Sequence, residues 1–206
     1  MGKAMANALV FRIVFSALWL IFIANLTWVR YSSRRPGVKP SVGPEARHDR
    51  QWHMIALALF APLWFGGIII YAIVPGWIAI FSVPLPAWFR FVMAGIAALS
   101  IPFTLWGYRA LGKNWVHALE PSEFMQKEKG TLVTNGPYRY VRNPIYLGSF
   151  TFIIAQALVA SNWFVLLPAL VIVPLVYGQI DGEEKMLLTR FGDEYRVHEE
   201  NPKNSS

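Results

Sequence analysis

The chain has 206 residues, 55% of them hydrophobic and 15% charged, with 9 Trp, 14 Phe and a mean hydropathy of +0.38. Soluble domains run nearer a quarter charged, and a single core of this size cannot hide so much apolar surface, so most of it must face lipid. No cysteine is present, which excludes disulfides, thiolate metal sites, a thiol nucleophile and acylation or prenylation of the chain itself, while the net charge of +7 has to be read by position.

Five apolar runs follow in chain order: Ala8–Val29, Met54–Val74, Phe91–Tyr108, Ile145–Ala160 and Trp163–Ile180. A membrane span needs about 20 residues at about 1.5 Å each, which the first two supply outright. The first contains Arg12 and is followed by Thr27-Trp28-Val29-Arg30 rather than by a small-residue cleavage site, so it reads as a retained span and not a signal peptide. Only Ser161 and Asn162 separate the last two, which predicts a helical hairpin with Pro168 and Pro174 in its returning arm. The expected fold class is all-α: an integral membrane helical bundle with about five transmembrane helices, the last two forming a hairpin. A cytoplasmic loop and a tail helix complete it.

Basic residues set the orientation. Arg30, Arg34, Arg35, Lys39, Arg47 and Arg50 fall between the first two spans, and Arg109, Lys113, Lys127, Lys129, Arg139 and Arg142 between the third and fourth. Lys185, Arg190, Arg196 and Lys203 follow the fifth. Sixteen of nineteen therefore lie on one side of a five-span topology, which the positive-inside rule makes cytoplasmic, with the amino terminus outside and the carboxyl terminus inside. Contact with anionic lipid head groups accounts for such loops without nucleic acid. Lys3, Arg12 and Arg90 remain for the other side, whose connections Pro75 to Ala87 and Ser161-Asn162 are uncharged. The basic linker 30–53 includes Ser32 to Gly43, rich in Pro, Gly, Ser and Arg, which reads as a mobile connection.

The segment Gly130 to Gly148 has the most local texture. Asn135-Gly136-Pro137 signals a turn feeding a short helix, and Pro144 suits the first turn of the next span, with Asn143 as its N-cap. That arrangement sets a positive helix end beside Arg139 and Arg142, a corner that can hold a carboxylate. A capped helix with snorkelling arginines fits the same residues. Further on, Gln179 and Glu183 share a helical face, and Glu183-Glu184 stand where the last apolar run stops, placed to pair with a ligand cation or with Arg142. Phe191-Gly192-Asp193-Glu194-Tyr195 then ends that helix. Gln156, alone polar within the fourth span, is expected to face other helices. His48, His53, His117 and His198 show no metal-ligand spacing, and no metal is expected.

The run Gly130 to Gly148, with Glu183-Glu184, Phe191 to Tyr195 and Leu111-Gly112-Lys113-Asn114-Trp115, resembles the isoprenylcysteine carboxyl methyltransferase family and, more distantly, the phospholipid methyltransferases. The likeness covers residues 105 to 196. It implies a single membrane methyltransferase domain over 1–206: three spans in 1–108, a catalytic half in 109–196 and a flexible tail in 197–206. It also implies S-adenosyl-L-methionine as cofactor, S-adenosyl-L-homocysteine as product, and a lipophilic or lipidated acceptor arriving from the bilayer; the lack of a targeting signal and the short tail lead to the expectation of a prokaryotic plasma membrane. Carried over position by position, the cofactor pocket would use Gly130, Thr131, Leu132, Val133, Tyr138, Asn143, Pro144, Ile145, Tyr146 and Glu183, with Arg142, Glu184 and Gln179 at the reacting end. Two positions depart from the family pattern. Asn143 stands where members carry His, and Gln179 stands where the carboxyl methyltransferases place an arginine for the substrate carboxylate. Isoprenylcysteine carboxylate or a related prenyl lipid is the expected acceptor. A phospholipid amine, or a non-catalytic role as a transporter subunit, is the alternative.

Overall fold

The computed structural model describes residues 2–32, 46–112 and 133–175. In order these form α1 (Gly2–Ser32), α2 (Ala46–Ile73), a 3-10 helix (Pro75–Phe81), α3 (Ala87–Leu111), a 3-10 turn (Gly136–Arg139), α4 (Pro144–Ala160) and α5 (Trp163–Leu175). The fold class is all-α, as expected: the one β feature among the described residues is a single bridge between Ser82 and Asn162. Helices α1 and α3 are each long and apolar enough to cross a membrane, whereas α2 qualifies only together with the 3-10 helix, from which it is bent by 114°. α4 and the described part of α5 are shorter apolar helices. Among the described residues, length and composition therefore mark two spans, or three with the bent pair; of the five runs expected from the sequence, the last is described only to Leu175.

Helix ends differ from the apolar runs because a charge ends a run without ending a helix. α2 begins at Ala46, so Arg47, His48, Asp49 and Arg50, expected in the linker, are helical; residues 33–45 lie outside the described residues. α3 likewise takes in Arg90 and Arg109, from an extended N-cap at Pro86 to Gly112, whose φ of 51° stops it.

The helices alternate in direction. The start of α1, the end of α2, the start of α3 and the α4–α5 hairpin meet at one end of the bundle, termed the turn end. The opposite end, where α3 stops and α4 starts, is termed the loop end. Along α1 the residues Phe11, Phe15, Trp19, Phe22 and Val29 recur at helical spacing and are all buried, while Leu20, on the other face, is 70% exposed. This stripe meets three helices. Phe11 packs on Phe91 of α3 with centroids 4.7 Å apart, Phe15 packs edge-on to Tyr71, Trp19 packs edge-on to Trp64 and Phe152, and Phe22 stacks on Phe152 with centroids 4.0 Å apart.

α3 and α4 make the broadest contact, through small residues. Ala94, Ala97, Ser100, Thr104 and Gly107 are buried along α3, and Ser100 and Thr104 return their hydroxyls to Ala97 and Ser100 carbonyls of their own helix. Gly107 lies where a Cβ would come within 2.8 Å of Ile145, and a Cβ on Gly148 would run into Thr104. With no hydrophobic force between helices in lipid, such close backbone approach is what holds them.

The hairpin turn follows the sequence expectation and adds to it. Ser161 takes the left-handed conformation (φ 55°) that ends α4, and Asn162 caps α5 by accepting from the Phe164 amide at 2.9 Å. Asn162 Nδ2 also donates to the Ile78 carbonyl at 2.8 Å, and Ser161 exchanges bonds with Val83, so the turn clasps the 3-10 helix. Gln156 faces the bundle interior, fully buried, and neither atom of its amide has a hydrogen-bond partner among the described residues.

Candidate active site

The loop end gathers part of the expected site. Asn135 precedes the 3-10 turn, Pro137 occupies its first positions, and the amides of Tyr140 and Val141 both bond back to the Pro137 carbonyl at 3.0 Å. The chain can turn there because Gly136 adopts φ +62° against α3, where a Cβ would come within 3.0 Å of Ala110 and 3.3 Å of the Trp106 indole nitrogen. Three residues later Asn143 is the N-cap of α4 by backbone position, with Pro144 buried in the first turn and the Asn143 carbonyl accepting from Leu147 at 3.0 Å. Its side chain makes no capping bond.

Arg139 and Arg142 are exposed on either side of this turn, Tyr138 and Tyr146 are half-buried, and Tyr146 lies 5.9 Å from the Phe150 ring. Tyr108, Tyr138, Arg142, Asn143 and Tyr146 are each engaged by a neighbouring group. The positive end of the α4 dipole and two arginines thus converge on one corner, in which no carboxylate lies among the described residues; an anion there gains about 0.3–1 kcal/mol from the dipole alone.

Of the residues expected at the site, Val133, Tyr138, Arg142, Asn143, Pro144, Ile145 and Tyr146 are brought together at this end. Gly130, Thr131, Leu132, Gln179, Glu183 and Glu184 lie outside the described residues. The structure adds supports that local sequence reading missed: Gly107 beneath Ile145, Thr104 against Gly148, and Trp106 and Ala110 beneath Gly136. Buried small residues at three- and four-residue spacing along α3 were their only signal.

Beside the corner, α1 and α3 leave a small open crevice of about 10 Å³, room for about one water, whose wall includes Phe22, Asn25, Leu26, Thr104, Leu105 and Tyr108. Thr104 belongs both to this wall and to the α4 contact, so the crevice and the first turns of α4 share one partition. The described helices form an apolar bundle with a helix start flanked by Arg139 and Arg142 at its loop end, an arrangement compatible with the class of the membrane methyltransferases. The chain belongs to the phospholipid methyltransferase family, which it matches over residues 88–194, more than half its length. That family stands in one group with the isoprenylcysteine carboxyl methyltransferases. The match takes in nearly all of α3, which the likeness read from the motifs, starting at residue 105, left out. No curated protein matches the chain.

Proposed function

We propose that the chain transfers the methyl group of S-adenosylmethionine to a lipophilic acceptor, with isoprenylcysteine carboxylate or a related prenyl lipid as the first candidate. The observation that carries this reading is the corner at the α4 N-terminus, built from Gly136–Arg142 and Asn143 inside the region that matches the family. The cofactor brings one carboxylate and one ammonium. Arg139, Arg142 and the α4 dipole suit the carboxylate, and Asn143, its side chain unused for capping, can donate to it. Glu183 is assigned to the ammonium, and Gly130 to Val133 with Tyr138 and Pro144 to Tyr146 are assigned to enclose the remainder.

The bound cofactor supplies an electrophilic methyl group. The protein aligns the acceptor and excludes water, which are the main sources of rate in such a displacement. An acceptor carboxylate arrives ionised, while an amine must lose a proton, for which Glu184 and Tyr146 are the nearest candidates in sequence. A phospholipid amine is the second reading, favoured by Gln179: without the arginine that members use for a substrate carboxylate, a neutral or cationic acceptor is better served. Localisation follows the charge distribution, with the loop end on the cytoplasmic face of a prokaryotic plasma membrane.

Purified protein in detergent is expected to bind S-adenosylmethionine saturably, and Glu183→Ala to weaken it by at least about tenfold, the usual scale for losing one partner of a desolvated charge pair. Unchanged affinity would remove Glu183 from the pocket. No binding of the cofactor or its demethylated product would favour a non-catalytic membrane protein. Gln179→Arg separates the acceptors: new activity on prenylcysteine analogues means that the native acceptor lacks a carboxylate, and no effect means that Gln179 is not at the acceptor.

A further inference from the structure

The turn end holds two arginines that the methyl-transfer reading does not use. Arg12 Nη2 donates to the carbonyls of Ala72 and Ile73 at 2.8 and 3.2 Å. Arg90 donates through Nε and Nη2 to the Val159 carbonyl at 2.9 and 2.7 Å and through Nη2 to the Tyr71 hydroxyl at 3.1 Å, with its guanidinium 3.8 Å from the centre of the Phe11 ring. Arg12 thus holds the last carbonyls of α2 and Arg90 its Tyr71 hydroxyl, so both lie at the last turn of α2.

These contacts leave the charges unbalanced. The accepting carbonyls close α2 and α4, and a helix end offers only about half a negative charge. All twelve acidic residues fall in 45–49, 120–128 and 181–200, and none falls in 2–20, 66–95 or 155–167, the stretches that build this end. Arg12 Nε is buried without a hydrogen-bond partner, and neither arginine uses Nη1 among the described residues. Both side chains are only partly buried.

Depth points to the source of the missing anion. Arg12 stands five residues inside the span that begins at Asn7, about 7.5 Å along the axis, and Arg90 three residues from the start of α3, about 4.5 Å. An arginine at that depth reaches the head-group level by snorkelling. Trp77 and Trp88, 78% and 68% exposed, lie on the same end, where interfacial tryptophans gather at the head groups. We propose that Arg12 and Arg90 together bind the phosphodiester of an anionic membrane lipid in the leaflet at the turn end. The guanidinium fork lets each arginine hold the helix carbonyls through one edge while Nη1 donates to a phosphate oxygen, and the phosphodiester supplies the full charge that the helix carbonyls lack.

The test uses the full chain in detergent, incubated with phosphatidylglycerol or phosphatidylcholine, and reads retained lipid by native mass spectrometry and stability by thermal unfolding. Wild type is expected to retain phosphatidylglycerol in preference to phosphatidylcholine. The double variant Arg12→Gln, Arg90→Gln is expected to lose at least about fivefold of that retention, whereas Arg109→Gln at the loop end leaves it unchanged. If the glutamine pair does not fold, Arg12→Lys with Arg90→Lys keeps both charges without the forks and should still reduce retention. Equal retention in whichever pair folds would overturn the proposal, as would equal retention of phosphatidylcholine. Inorganic phosphate that raised the unfolding temperature as much as the lipid would assign the site to a soluble anion and overturn the lipid assignment.

Discussion

Single residues at the helix contacts have little room to change. A Cβ on Gly148 would overlap the Thr104 side chain and press on Phe103, so Gly148→Ala should destabilise by about 1–3 kcal/mol in detergent unfolding. Thr104→Ala in the same chain should recover part of that loss, because the nearest obstructing atom is the hydroxyl; a strictly additive pair would show that the two do not touch. Gln156 carries the opposite expectation. Its buried amide has no partner among the described residues, so Gln156→Met should raise the unfolding temperature, and a fall would mean that the amide is bonded in the working protein. Its inward direction was legible from sequence, as the one amide side chain of its span. The interlock of Gly148 with Thr104 was not: it joins positions 44 residues apart, and neither helix shows by itself which face will meet the other.

Among the elements, the hairpin turn does more than reverse the chain. Asn162 caps α5 and holds the 3-10 helix through the Ile78 carbonyl, so Asn162→Ala should cost about 2 kcal/mol and speed amide exchange in Pro75–Phe81 more than in α3. Uniform exchange would place the 3-10 helix outside the clasp. The hairpin was readable because a polar pair interrupts two apolar runs, and the turn before α4 because Asn135-Gly136-Pro137 and Asn143-Pro144 are local backbone signals. The 3-10 helix was not readable, since its shape depends on bonds to Asn162, 84 residues away. The roles of Arg12 and Arg90 depend on carbonyls 60 and 69 residues distant, although a charge inside an apolar run already marks a residue that must find a partner.

At the scale of the whole molecule, composition alone indicated a membrane bundle. Of the five spans expected, length and composition mark two or three among the described residues, the fourth run being a shorter apolar helix and the fifth described only in part. Orientation is open to direct measurement, since the chain has no cysteine of its own. A cysteine introduced by Gly76→Cys should react with a membrane-impermeant maleimide in intact cells, and one introduced by Ser122→Cys only after permeabilisation; the reverse pattern would invert the orientation. Of the proposed cofactor pocket, the helix start flanked by arginines was legible in the sequence, and the structure shows that start at Pro144, packed against α3 through Gly107. The most direct test of the central claim is transfer of labelled methyl from S-adenosylmethionine into a total lipid extract by the purified protein, with the product identified by mass. Label in a lipid product, lost in Glu183→Ala, is the expected result. Protein that binds the cofactor and leaves every lipid unlabelled would contradict it.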